Sequence, residues 1–181
     1  MAVNDLVEPT LPDVLAAAAR IRPHLSPTPL RQSPAVSEII GADVYLKHEF
    51  HLPTGAFKVR GGVNLISQLS ARERDAGVIA ASTGNHGQSV AYAARLFGVK
   101  AIICAPENAN AAKVEAMREL GATVNLVGAD FDEAREECDR DGQADSGQKD
   151  GVLNHCPVRG GTGERDGWSC RCFKGLRLGQ G

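Results

Sequence analysis

From residue 10 to residue 138, short apolar runs alternate with stretches of helical period; after residue 139 the alternation stops. Leu11 to Ile21 is rich in alanine and predicts a helix. Pro23, Pro27 and Pro29 then force an extended, turning connection. Ser33 to Ile40 predicts a short helix closed by Gly41. Val44 to Leu46 predicts a strand, and Lys58 to Leu69 a helix with Val63, Ile66 and Leu69 on one side. A regular repeat follows. Strands are expected at Val78 to Ala81, Lys100 to Ala105 and Thr123 to Val127. Helices are expected at Gln88 to Phe97, closed by Gly98, and at Ala111 to Leu120, closed by Gly121. A further helix begins at Phe131 and runs to Cys138. The run Val99 to Ala105 is apolar almost throughout, as a strand buried on both faces of a parallel sheet requires.

Strands alternating with helices at this spacing predict an α/β fold: an open parallel sheet with flanking helices. The expected domain organisation is an ordered part over 1–138, with a small α/β subdomain at about 77–138, and an irregular tail over 139–181. That tail holds ten glycines and thirteen charged residues in 43 positions. Few aliphatics remain to offset the entropy of ordering, so the tail is expected to be disordered or a non-native reading of the gene.

Composition removes several classes of function. The net charge is −2 and aromatic residues make up 4% of the chain, so neither a nucleic-acid partner nor an anionic membrane surface is expected. No apolar run is long enough to cross a bilayer, and the N-terminus lacks the pattern of a signal peptide. The expected location is cytoplasmic. Five cysteines show no disulfide framework. His155, Cys156, Cys170 and Cys172 offer four zinc-type ligands, but their spacing fits no recognised knuckle and no metal is expected.

Two segments carry candidate chemistry. In LKHEFHLPTGAFKVRGG, residues 46–62, a Pro53-Thr54-Gly55 turn leads straight into a helix. Lys58 stands in its first turn, where partial positive charge disfavours an ammonium. A neutral amine is a good nucleophile for an aldehyde. The plainer alternative is a surface lysine that starts a helix. In ASTGNHGQSVAYAARLFG, residues 81–98, a small polar loop joins a strand end to a helix. Such a loop presents backbone N–H groups to a carboxylate or phosphate, with Ser82, Thr83 and Asn85 adding side-chain donors. The plainer alternative is an ordinary capped turn.

Taken together, PTGAFKVRGG and STGNHGQ resemble the threonine/serine dehydratase (threonine ammonia-lyase) group of fold-type II pyridoxal-phosphate (PLP) enzymes. The resemblance covers roughly residues 10–138, including LKHE and KVEAMRELGA. It implies part of a tryptophan-synthase-β-like PLP fold. It also implies PLP as cofactor, a small amino acid as substrate and the possibility of a homo-oligomer. By position, Lys58 matches the lysine that bonds covalently to PLP and takes the α-proton. Phe57 matches the residue packed near the cofactor ring, and Asn85 the asparagine that hydrogen-bonds the ring oxygen. Ser82, Thr83, Gly84, Asn85 and His86 fall in the loop that cradles the substrate carboxylate. The implied reaction is β-elimination of a hydroxy-amino acid to a 2-oxo acid and ammonia. Many relatives read SFK where this chain has Ala56-Phe57-Lys58, which weakens inference of the substrate. His86 is expected to be a loop residue without a proton-transfer role.

The resemblance also implies a glycine-rich phosphate loop and a group on the pyridine nitrogen, both further along the chain. Gly160-Gly161-Thr162-Gly163 lacks the flanking strand and helix such a loop needs. The expectation is therefore a truncated lyase, inactive alone, poorly stable and prone to association. Two other classes compete: a non-enzymatic interaction fragment and a nucleotide-binding α/β module. For the latter, Gly84-x-x-Gly87 is an incomplete fingerprint.

Overall fold

The computed structural model describes residues 9–144 and 153–154. Helix α1 (Leu11–Ile21) leads through the proline-rich segment to strand β1 (Leu30–Gln32), helix α2 (Pro34–Ile40) and strand β2 (Tyr45–Lys47). β1 and β2 pair antiparallel as a two-stranded ribbon. A 3-10 turn (Glu49–His51) precedes α3 (Lys58–Ile66) and α4 (Ala71–Ala76). The α/β repeat then runs β3 (Val78–Ala81), α5 (Asn85–Phe97), β4 (Ala101–Ala105), α6 (Ala111–Glu119), β5 (Thr123–Leu126), α7 (Phe131–Ala144) and β6 (Leu153–Asn154). These four strands form a parallel sheet in the order β5-β4-β3-β6.

Period-2 alternation sorts the strand residues to two faces. Val78, Ala80, Ala101 and Ile103 join a core with Val59, Val63 and Ile66 of α3, Val90, Ala91, Ala93 and Ala94 of α5, and Val114 and Met117 of α6. Ile79, Ala81 and Cys104 face the other way, toward Cys138 of α7. The sheet thus lies between α3, α5 and α6 on one side and α7 on the other. Central β3 is buried at every position, while β5 is partly exposed as an edge strand.

Helix α7 does not stop at residue 138. It runs to Ala144, because no proline intervenes and one glycine, Gly142, weakens a helix by only about 1 kcal/mol. Leu153 and Asn154 then extend the sheet beside β3, in register with Val78 and Ile79. The other tail expectations, the His155, Cys156, Cys170 and Cys172 group and Gly160–Gly163, lie outside the described residues. Sequence pattern alone also passed over β1, the 3-10 turn and α4. Each is six residues or fewer, too short for a period to register.

Exposed apolar side chains are unevenly distributed. Leu11, Val14, Leu15, Leu30, Ile39, Ile40, Tyr45, Leu46, Phe50 and Phe57 all stand out in the segment before the α/β repeat, with only Leu96 and Leu126 exposed within it among the described residues. A concentration of this kind marks surface suited to contact with further protein. No helix among the described residues is long and apolar enough to cross a membrane.

Candidate active site

Lys58 opens α3 immediately after a tight turn, in which the Gly55 N–H donates to the Leu52 carbonyl at 2.8 Å. Gly55 has φ +64°, a conformation that favours glycine there. An ion pair fixes the first turn of α3. Arg60 donates to both carboxylate oxygens of Glu49, at 2.7 and 2.9 Å. The buried Thr28 hydroxyl donates to the same carboxylate at 2.5 Å, and Lys47 Nζ donates to the Thr28 carbonyl at 2.6 Å. The Arg60 guanidinium, helped by Thr28 and Lys47 and opposed by partial burial, holds the Glu49 carboxyl below its ordinary value of 4.5.

A carboxylate with a lowered folded-state value stabilises the fold fully above its ordinary value, and that contribution is lost as pH falls through the lowered value. The urea midpoint should therefore fall when pH is taken from 6 to below about 4. Glu49→Gln should flatten that dependence and lower the pH 6 midpoint. A Glu49→Gln curve parallel to the wild-type curve would show that the pair does not couple to folding.

The second segment begins where β3 ends. Ser82 is buried, and its N–H donates to the Cys104 carbonyl at 2.9 Å, continuing the sheet by one bond. Its Oγ accepts the N–H of Gly84 at 3.2 Å and of Gly87 at 2.8 Å, so the hydroxyl shapes the loop from inside. Gly87 must be a glycine: an added Cβ would lie 2.4 Å from Met117 Sδ and 3.2 Å from Ser82 Cβ. Thr83 and Asn85 are exposed, Gly84 and His86 half-buried. Asn85 is the first residue of α5, where the early N–H groups have no acceptor one turn back within the helix.

α3 and α5 bring the two segments together. Ser89 Oγ donates to the Lys58 carbonyl at 2.6 Å. Ser89 lies four residues after Asn85, on the same face of α5 and one turn on. The main chain of Lys58 is therefore seated one helical turn from Asn85. The close approach depends on Gly62, where a Cβ would lie 2.5 Å from the Ser89 backbone oxygen. Phe57 precedes Lys58 and is exposed. Sequence reasoning did not give Ser89, Arg60, Glu49 or Lys113 a part in the site. Lys113 Nζ donates to Asn85 Oδ1. None of these links follows from spacing, since the partners lie 31, 11 and 28 positions apart.

The donor set fits one end of PLP. A primary amine suits the aldehyde, and an amide N–H suits the ring oxygen. The loop that follows β5 does not suit the phosphate, because carboxylates already hold its amides. Glu133 Oε2 accepts from Ala129 N at 2.8 Å, and Asp130 Oδ1 from Asp132 N and Glu133 N at 2.9 and 3.0 Å.

Comparison with known proteins shows the family. The family model described as "Pyridoxal-phosphate dependent enzyme" matches residues 21–155. A putative threonine dehydratase of Sinorhizobium fredii is 44% identical over 138 residues, which is 76% of this chain and 42% of that protein. The L-threonine ammonia-lyase of Thermotoga maritima is 46% identical over 127 residues, 70% of this chain and 32% of that protein. The structure of maize serine racemase superposes with a TM-score of 0.68 at 31% identity, covering 74% of this chain and 41% of that one. The chain thus spans well under half the length of these relatives.

Proposed function

Because this chain belongs to the pyridoxal-phosphate dependent enzyme family, we propose that it supplies the lysine-bearing half of an active site that deaminates a small hydroxy-amino acid of the threonine/serine type. The observation that carries this reading is the Ser89–Lys58 bond, which seats the lysine against the helix of the STGNHG loop. The substrate class comes from the relatives, two of which are named for threonine.

When bound, PLP supplies an electron sink for the substrate's α-carbon. Lys58 Nζ would hold the cofactor at its aldehyde end, and the same amine is the base that would take the substrate's α-proton. Asn85 donates its side-chain N–H to the ring oxygen. Thr83, Gly84, Asn85 and His86 hold the substrate carboxylate at the start of α5, with Ser82 keeping the loop in shape. Phe57 covers the ring once further protein packs on that face. Over the whole reaction the hydroxy-amino acid would lose its α-proton and β-hydroxyl as water and take up water again, giving a 2-oxo acid and ammonia.

A chimera tests the reading. The matched segment of the Thermotoga maritima enzyme is replaced by the corresponding residues of this chain. It should take up PLP and convert L-threonine to 2-oxobutanoate and ammonia, followed by coupled reduction of the oxo acid. A folded, PLP-loaded chimera that forms no oxo acid from L-threonine or L-serine would refute the dehydratase reading. The likeness to a serine racemase gives a second reading. Appearance of D-serine without oxo acid would favour it.

A further inference from the structure

We infer that Lys113 is a positioning residue for Asn85: it fixes which end of the Asn85 amide faces the cofactor's ring oxygen. The inference rests on the function proposed above and extends it to a residue in another helix. Lys113 is the third residue of α6, yet its Nζ donates to Asn85 Oδ1 at the start of α5. Its stem crosses the STGNHG loop at Gly84, where an added Cβ would lie 3.1 Å from Lys113 Cδ and 3.9 Å from Nζ.

The base of the side chain is held as well. The Lys113 N–H donates to the Asn110 carbonyl at 3.0 Å and to its side-chain oxygen at 3.2 Å, capping α6. Buried Val114 and Met117 set the rotation of α6 against the sheet. Lys113 therefore approaches Asn85 from a fixed direction.

The chemistry then decides the amide's orientation. An ammonium has donors and no acceptor. The Asn85 atom that faces Lys113 must be the carbonyl oxygen, and the NH2 group must point away. A ring oxygen accepts hydrogen bonds; against a flipped amide it would meet Oδ1 and be repelled. Lys113 removes the flipped state. An exposed asparagine alone would populate both orientations, because its two ends are nearly equal in shape.

The test uses the full 181-residue chain and two probes, PLP and its analogue lacking the ring hydroxyl. Each is incubated with the chain below saturation and reduced with borohydride, and occupancy of Lys58 is read by peptide mass. Lys113→Met keeps the stem and removes the donor. It should lower PLP occupancy roughly five- to tenfold, the worth of one oriented hydrogen bond, and leave labelling by the analogue unchanged. Lys113→Arg should restore part of the loss. Asn85→Ala should match Lys113→Met, and the double variant should lose no more than Asn85→Ala alone.

Unchanged PLP occupancy in Lys113→Met would overturn the inference. So would an equal loss for both probes, which would mark a merely structural role, or additive losses in the double variant. A wild-type chain unlabelled at Lys58 would overturn this inference as well, since no cofactor would then face Asn85, while the functional reading stands or falls on the chimera. Failure confined to the Lys113 variants sinks this inference alone.

Discussion

Lys58→Ala should lower oxo-acid formation by the chimera at least about 10³-fold while leaving its urea midpoint nearly unmoved. Two contributions are lost together. The amine that holds the aldehyde carbon is gone, and so is the base, which alone contributes roughly 10²–10⁴-fold. Stability should change little, because the side chain is half-buried and sits at a helix start. The link that Lys58 does make to α5 runs through its backbone carbonyl, which alanine keeps. Substantial activity in the variant would mean that another group takes the α-proton, and the half-buried His86 would be the first to test.

Two adjacent glycines should respond in opposite directions. At Gly62, an added Cβ would lie 2.5 Å from the Ser89 backbone oxygen and 2.5 Å from its Oγ. The backbone carbonyl cannot swing aside as a side-chain tip would. α3 and α5 must separate, which costs roughly 1–3 kcal/mol for overpacking of this kind and lengthens the Ser89–Lys58 bond. Gly62→Ala should therefore lower the melting temperature by on the order of 5–10 °C. At Gly61 nothing lies within 4 Å of the same added atom. Gly61→Ala should stabilise the chain by about 0.5–1 kcal/mol, the usual gain of alanine over glycine within a helix. Melting both variants by circular dichroism reads the difference. Equal effects would contradict the helix contact on which the site depends.

The α/β repeat was legible because its signals are local. β3 lies at Val78–Ala81 as the apolar run predicts, and α1 spans Leu11–Ile21 as its composition predicts. α5 begins at Asn85, three residues before the expected Gln88, because the polar loop residues lack the apolar period that marks a helix. The prolines and polar residues around 23–33 concealed β1, although its partner β2, at Tyr45–Lys47, lies within one residue of the strand expected at Val44 to Leu46. The candidate site was half legible. Its candidate residues Lys58 and Asn85 stand in two motifs of the sequence. What joins them was not legible, since Ser89 and Lys113 act through contacts between helices, and one sequence gives no sign of which faces meet. Arg60 stood two residues after Lys58 in plain view, but its partner Glu49 becomes apparent only when the 3-10 turn folds back on α3.

The most direct measurement of the central claim is the distribution of label over the six lysines of this chain after incubation with PLP and borohydride reduction. A site assembled from Lys58 and the STGNHG loop predicts that Lys58 carries most of the adduct, ahead of the exposed Lys47 and Lys100, and that Asn85→Ala reduces that preference. Label spread evenly over the lysines, or unaffected at Lys58 by Asn85→Ala, would contradict it.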